Sequence, residues 1–325
     1  VRSSDPFFAR SPGLVLLALA WLAASLCGCG GGYRPKPHEP YEPTDEEAEW
    51  DRHHQAEKDG RFDEALAGYD AMCRRDEPYP RACYDLSRLL FELERFAEAR
   101  AAALAFVGRF PDNALVQPAA KRLGRHYAEA ARIDEGVTEL GRLASKVAGS
   151  DAEDTVIYQI ARLHREAGRL DAEARELERI VAMGRWNSQL WNDSIWRLAE
   201  VRGEQGDPAA EERLLEQLLD SRESSVLIGS YTTGLHDDAM LRLGRLRLER
   251  GRADEAYDTF VELSKWKTSR ERDDALLWAA RARIAQGRDA DACELLERLL
   301  DEMPDASAVR EARQLHSASG CEPRQ

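Results

Sequence analysis

Beyond residue 45 one six-residue phrase returns seven times: Gly60-Arg61-Phe62-Asp63-Glu64-Ala65, then variants that begin at Glu94, Ala131, Gly168, Gly206, Gly251 and Gly287. From start to start the spacings are 34, 37, 37, 38, 45 and 36 residues. Self-similarity at such a period marks an array of supersecondary units, each of which hides its apolar face only against its neighbours. The phrase itself is turn chemistry. Glycine adopts the left-handed conformation that ends a helix, and acidic residues two or three positions later favour the amino end of the next one.

The flanks carry the same register. Seven residues before the last six turns stand Ser87, Gly124, Ala161, Ala199, Gly244 and Ala280, all small, and eight before stand Leu86, Leu123, Ile160, Leu198, Leu243 and Ala279. Small residues allow paired helices to approach closely while the apolar neighbours fill the seam. Nine residues after the turns come Tyr69, Ala103, Leu140, Leu177, Leu215, Phe260 and Leu296, and twelve after come Met72, Phe106, Leu143, Ile180, Leu218, Leu263 and Leu299. That step of three is one apolar helix face. Pro111 and Pro304, each seventeen after a turn, mark where second helices stop.

Units of this kind resemble tetratricopeptide repeats (TPRs), in seven copies over residues 46–304. The resemblance implies an all-α superhelical solenoid of about seven antiparallel helix pairs, with the first helix of each pair lining a concave groove. Three positions depart from the family pattern: Glu173 and Glu211 replace the small residue five after the turn, and His53 stands where the other units have a small residue. Residues 305–316 read as an amphipathic capping helix that covers the last apolar face, with a tail at 317–325. Insertions at about 144–153, 184–192 and 221–236 are expected to form bends or loops, and Val226, Leu227 and Ile228 suggest that the last of them docks somewhere.

The amino-terminal region speaks to location. Arg2 and Arg10 precede an uncharged run from Gly13 to Leu26, about the length of a signal-peptide core and short of the roughly 20 residues that a spanning helix needs. The run ends in Leu26-Cys27-Gly28-Cys29, which resembles a bacterial lipobox with Cys29 as the acylated residue. The resemblance implies a signal peptide over 1–28, lipidation at Cys29, and anchoring by several acyl chains. An ordinary secretory signal cleaved near Gly28–Gly32 is the other reading of these residues. Gly30 follows Cys29 in place of the Asp that retains enteric lipoproteins in the inner membrane, so the outer membrane, periplasmic face, is the expected destination. Residues 29–45 hold four prolines between Pro35 and Pro43 and read as an extended tether.

Export places the remaining cysteines in an oxidising compartment. Cys73 and Cys83 lie five residues either side of Pro78 and would face each other across a hairpin; Cys293 and Cys321 form the second candidate pair, around Pro304. Buried free thiols are the alternative for both.

No catalytic motif is present, so neither enzyme activity nor a cofactor is expected. Adjacent His53 and His54 point about 100° apart on a helix and the other histidines are scattered, so no metal is expected either. A formal charge of −14 argues against a surface that holds nucleic acid. One stripe of charge is notable. Arg88, Arg125, Arg162, Arg245 and Arg281 stand six residues before their turns, and Arg122, Arg197 and Arg242 stand nine before. On the first helices they form a candidate partner-binding groove for carboxylates. The same pattern suits solvated helix-face ion pairs, because Glu92, Glu129, Glu166 and Glu249 follow four of these arginines at i+4, and that reading is the favoured one. It leaves Arg122, Arg197, Arg242 and Arg281 least encumbered. Trp186, Trp191 and Trp196 fall within eleven residues at the junction of repeats four and five, either as an aromatic contact surface or, the favoured reading, as a wedge filling that junction.

The expected function is that of a membrane-anchored periplasmic TPR scaffold that binds proteins of the cell envelope. In general plan the chain is similar to BamD-type lipoproteins, and Thr268–Trp278 is similar to repeats of the Tol-Pal coordinating TPR proteins. The alternative is a groove-binding module for acidic peptides or peptidoglycan stem carboxylates.

Overall fold

The computed structural model describes residues 42–225, 229–231 and 234–321, with backbone alone at 223–225 and 229–231. The expected signal peptide, Cys29, most of the tether and Val226–Ile228 lie outside the described residues. Contacts divide the chain after Asp51. Of the first unit residues 42–51 are described, as a short extended stretch and the opening turns of helix α1; all that follows concerns the second unit.

Fifteen α-helices are described: α1 (Asp45–Lys58), α2 (Phe62–Cys73), α3 (Pro80–Glu92), α4 (Phe96–Arg109), α5 (Val116–Glu129), α6 (Ile133–Lys146), α7 (Glu153–Glu166), α8 (Leu170–Met183), α9 (Trp191–Glu204), α10 (Pro208–Asp220), α11 (Gly234–Glu249), α12 (Ala253–Ser264), α13 (Arg272–Ala285), α14 (Asp289–Glu302) and α15 (Val309–Ala318). Odd-numbered helices up to α13 are the first (A) members of seven pairs and even-numbered ones the second (B) members. Helix α15 caps the last pair, beginning four residues later than the sequence suggests, because residues 303–308 form a turn after α14.

All seven phrase starts adopt the left-handed conformation: Gly60, Gly168, Gly206, Gly251 and Gly287 have φ of 65–77°, and Glu94 and Ala131 have φ of 59° and 53°. The geometry is the same each time. Gly60 N–H donates to the Glu57 carbonyl at 2.9 Å and Arg61 N–H to the Ala56 carbonyl at 2.8 Å, which satisfies the carbonyls left at the end of α1. At Glu94 and Ala131 a Cβ is forced into a conformation that costs an L-residue roughly 1–2 kcal/mol. Replacing either with glycine is expected to stabilise the chain by about 1 kcal/mol, read as a rise in the denaturant midpoint. An unchanged or lowered midpoint at both sites would refute the strain.

The side chains nine and twelve residues after each turn are all at most 6% exposed. Opposite them the small residues of the A helices are needed: a Cβ on Gly244 would lie 2.4 Å from the Phe260 ring. The first unit solves the same problem in reverse, since the His53 ring occupies the space where a side chain on Gly68 would be, 2.1 Å from its Cβ position. The core is a chain of overlapping clusters. One runs from Cys83 to Leu190, others join Ala161 to Val201 and Trp191 to Leu246, and Leu276 to Ala312 closes the carboxyl end.

Two buried aspartates latch each following loop to the start of an A helix. Asp154 accepts from Ser188 Oγ at 2.7 Å and the Leu190 amide at 3.2 Å, and Asp273 accepts from Ser307 Oγ at 3.0 Å and the Ala308 amide at 3.2 Å. The insertion after α10 is more than a loop: β1 (Glu223–Ser225) pairs antiparallel with β2 (Gly229–Tyr231), Glu223 opposite Tyr231. Both cysteine pairs are joined, Cys73 to Cys83 with Cα atoms 5.2 Å apart and Cys293 to Cys321 with Cα atoms 5.5 Å apart. The first stitches α2 to α3, and the second ties the residue after the capping helix to α14.

Candidate functional site

The arginine stripe lies on the A helices, but its partners are not those that helical spacing suggests. Of the four i+4 pairs only Arg88–Glu92 closes, at 3.0 Å. Arg88 also reaches Glu57 on α1 at 2.7 Å and Asp85 at 2.9 Å. Arg197 and Arg242, which the sequence leaves unencumbered, are the most firmly held. Arg197 Nε donates to Glu173 at 2.7 Å and Arg242 Nε to Glu211 at 2.6 Å. These two glutamates are the departures from the family pattern noted above. They come from the preceding B helix, 24 and 31 residues away in sequence, beyond the reach of an i+4 rule. Arg281, also read as unencumbered, pairs with Glu311 on the capping helix.

Burial by itself would disfavour charge on Arg197, but the hydrogen bonds it donates to Glu173 and Glu204 hold its pKa above the ordinary value. It is a structural cation. Arg245 and Arg281 each stand 4.3 Å from the Trp278 ring centroid.

Within the stripe, Arg122, Arg125 and Arg162 keep no carboxylate partner among the described residues, while Arg245 interacts with the Asp274 carboxylate. The three belong to α5 and α7, A helices that pack directly on each other. Arg125 is exposed. Arg162 Nη1 donates to Gln159 Oε1 at 3.3 Å. The Arg122 guanidinium lies 5.9 Å from the Tyr84 ring, and its buried Nη1 has no acceptor; neither has Nε2 of the fully buried Gln159. Arg122 and Gln159 occupy the same register as Arg197 and Arg242, nine before the turn. Where those have Glu173 or Glu211 opposite, the preceding B helices here offer Ala99 and Gly136. The result is two buried donors without acceptors at the α5–α7 seam, with the exposed Arg125 one turn along α5 from Arg122.

The tryptophans separate. Trp191 is 6% exposed and its indole N–H donates to the Val181 carbonyl at 3.2 Å, which makes it a wedge between α8 and α9. Trp196 is half-buried in the cluster of α9, α10 and α11. Trp186 is no wedge: it is 79% exposed, because it sits in the turn after α8, where no helix covers it. It edges a cleft of about 910 Å³ formed by three successive loop regions after α6, α8 and α10. The insertions are legible in the chain, whereas their convergence follows from their common place in each unit.

Among the described residues no group of three or more metal-ligating side chains is found, and no helix is long and apolar enough to cross a membrane.

Tetratricopeptide-repeat family models match residues 55–114, 238–265 and 274–306. No curated protein sequence matches the chain. Among solved structures the chain is similar to the C-terminal part of a TPR repeat-containing protein from Cytophaga hutchinsonii, at 13% identity over 84% of this chain and 89% of that one, with a TM-score of 0.46. It is also similar to YrrB, described as a TPR protein with an unusual peptide-binding site, at 16% identity over 66% of this chain and 98% of that one, TM-score 0.43. A tetratricopeptide repeat protein from Parabacteroides merdae matches at 12% identity over 84% and 98%, TM-score 0.37. With left-handed turns repeating in register, the described chain is an all-α solenoid of helical hairpins, and its segments 55–114, 238–265 and 274–306 match tetratricopeptide repeats.

Proposed function

We propose that the chain is an outer-membrane lipoprotein, anchored through Cys29 at the periplasmic face, whose repeats dock proteins of a cell-envelope assembly by contact rather than catalysis. The anchoring half is supported by the Leu26-Cys27-Gly28-Cys29 segment and the proline-rich stretch after it. The docking half is supported by one observation above the rest: Arg122, Arg125 and Arg162 stand on α5 and α7, A helices that pack on each other, with no carboxylate partner among the described residues, and Arg125 is exposed. An acidic segment of a partner protein supplies what is missing, and charge-assisted bonds to guanidinium are the stronger kind. Peptidoglycan stem carboxylates are the second reading, since they offer the same acceptors.

The test is in-cell crosslinking with mass spectrometry on the wild-type chain and on the Arg122→Glu/Arg125→Glu/Arg162→Glu variant. Recovery of the docked protein is expected to fall by at least about tenfold in the variant, with helicity unchanged. Equal recovery would move docking to another face. Retained recovery with loss of muropeptide binding by the purified protein would favour the second reading. For the anchor, Cys29→Ala is expected to abolish palmitate labelling; a variant that still takes up label would exclude Cys29 as the acylated residue.

A further inference from the structure

The cleft edged by Trp186 has a chemistry unlike that of the arginine face. Its platform is the indole ring, backed by Arg185, whose guanidinium lies 4.3 Å from the ring centroid. Arg185 is itself fixed, with Nη1 donating to the Ser221 carbonyl at 3.0 Å. One face of the indole is therefore braced and the other is open, as its 79% exposure requires. The floor is closed chemistry: Trp191 has given its N–H to Val181, and Ser188 is bonded to Asp154.

Around the opening the side chains of Gln189 and Asn192 make no hydrogen bond among the described residues, Asn187 donates one N–H to the Met183 carbonyl, Glu153 accepts from the Gly149 amide, and the Asp151 carboxylate is exposed. Asn192 holds the register of Asp154 and Asp273, fourteen residues before its turn, yet closes no latch of the kind those two make. Thus the cleft presents an apolar plate, three amides of which two are free, and the carboxylates of Asp151 and Glu153, and its one cation is engaged. An anion finds no free positive partner there. An aliphatic ligand would leave the amides unpaired, which is unfavourable once water is displaced.

We propose that this cleft binds a neutral oligosaccharide. A pyranose has a face of C–H groups that lies flat on an indole and a rim of hydroxyls that both donate and accept, which matches amides and carboxylate together. A volume of about 910 Å³ holds several sugar units, within the range of ordinary ligand sites. The site shares none of Arg122, Arg125 and Arg162 with the arginine face and does not depend on the docking function proposed there.

The experiment is ligand-observed saturation-transfer NMR and calorimetry on the purified chain with a panel of neutral tetrasaccharides built on glucose, mannose and N-acetylglucosamine. At least one is expected to bind saturably, to lose about tenfold or more in affinity in Trp186→Ala, and to lose less in Trp186→Phe. Asn192→Ala is expected to weaken binding while Arg125→Glu leaves it unchanged. Because Trp186 is exposed, its replacement leaves the fold intact, which circular dichroism checks. The proposal is overturned if no member of the panel binds, or if binding is indifferent to Trp186→Ala.

Discussion

Glu173→Ala is expected to destabilise the chain by about 3 kcal/mol, although it restores the small residue that the repeat family places there. The Glu173 side chain is fully buried and holds Arg197, itself only 12% exposed, and Arg165, whose Nε is 2.8 Å away. Removing the carboxylate leaves a cation in a seam shaped around an anion; Arg165 is the more exposed and relaxes into water. A second substitution, Arg197→Leu, is expected to recover much of the loss, since an apolar pair tolerates that burial better than a guanidinium whose Nε has lost its carboxylate and which keeps Glu204 and Glu200 on Nη1 alone. Urea denaturation of the single and double variants checks this, and an Ala variant as stable as wild type would remove the structural role of the ion pair.

The same pair has a pH signature. Burial pushes Glu173 up, but hydrogen bonds from Arg197 and Arg165 outweigh it and hold the carboxyl below its ordinary value of 4.5. A depressed native pKa contributes stability that is fully present above the unfolded value and is lost as pH falls through the native one. The difference between wild type and Glu173→Ala is therefore expected to be constant at neutral pH and to shrink below about 4.5.

The second large effect is expected at the carboxyl end. Cys293 and Cys321 are 28 residues apart, and closing such a loop restricts the unfolded chain by about 3.5 kcal/mol in the chain-entropy account. In the Cys293→Ser/Cys321→Ser variant, α15 is expected to fray from the last repeat and bare Leu296 and Leu299. Hydrogen exchange should quicken in α14 and α15 while α5 to α8 keep their protection, because each repeat touches only its neighbours. Uniform acceleration along the chain, or none, would contradict this.

The fold was legible because its information is local. Turn phrase, small seam residue and apolar face recur in one register, and even Glu94 and Ala131 obey the backbone that the glycines announce. The arginine stripe was only half legible. Its positions follow from the register, but whether each arginine is free depends on residues such as Glu173, Glu211 and Glu311, which spacing within one helix does not reveal. Trp186 and Trp191 are five residues apart and look alike in sequence, yet one ends in a turn and the other begins a helix, and burial follows from that difference. The hairpin of β1 and β2 went unread because two three-residue strands carry too little alternation to register.

The overlapping apolar clusters have an evolutionary consequence. Since the described helices pack on those of their own and adjoining repeats, a change in one unit need not be answered at the far end of the chain. One repeat can be exchanged, lengthened at its loop or recharged on its outer helix while the rest stays as it was, so an adaptor built this way can change its company one module at a time.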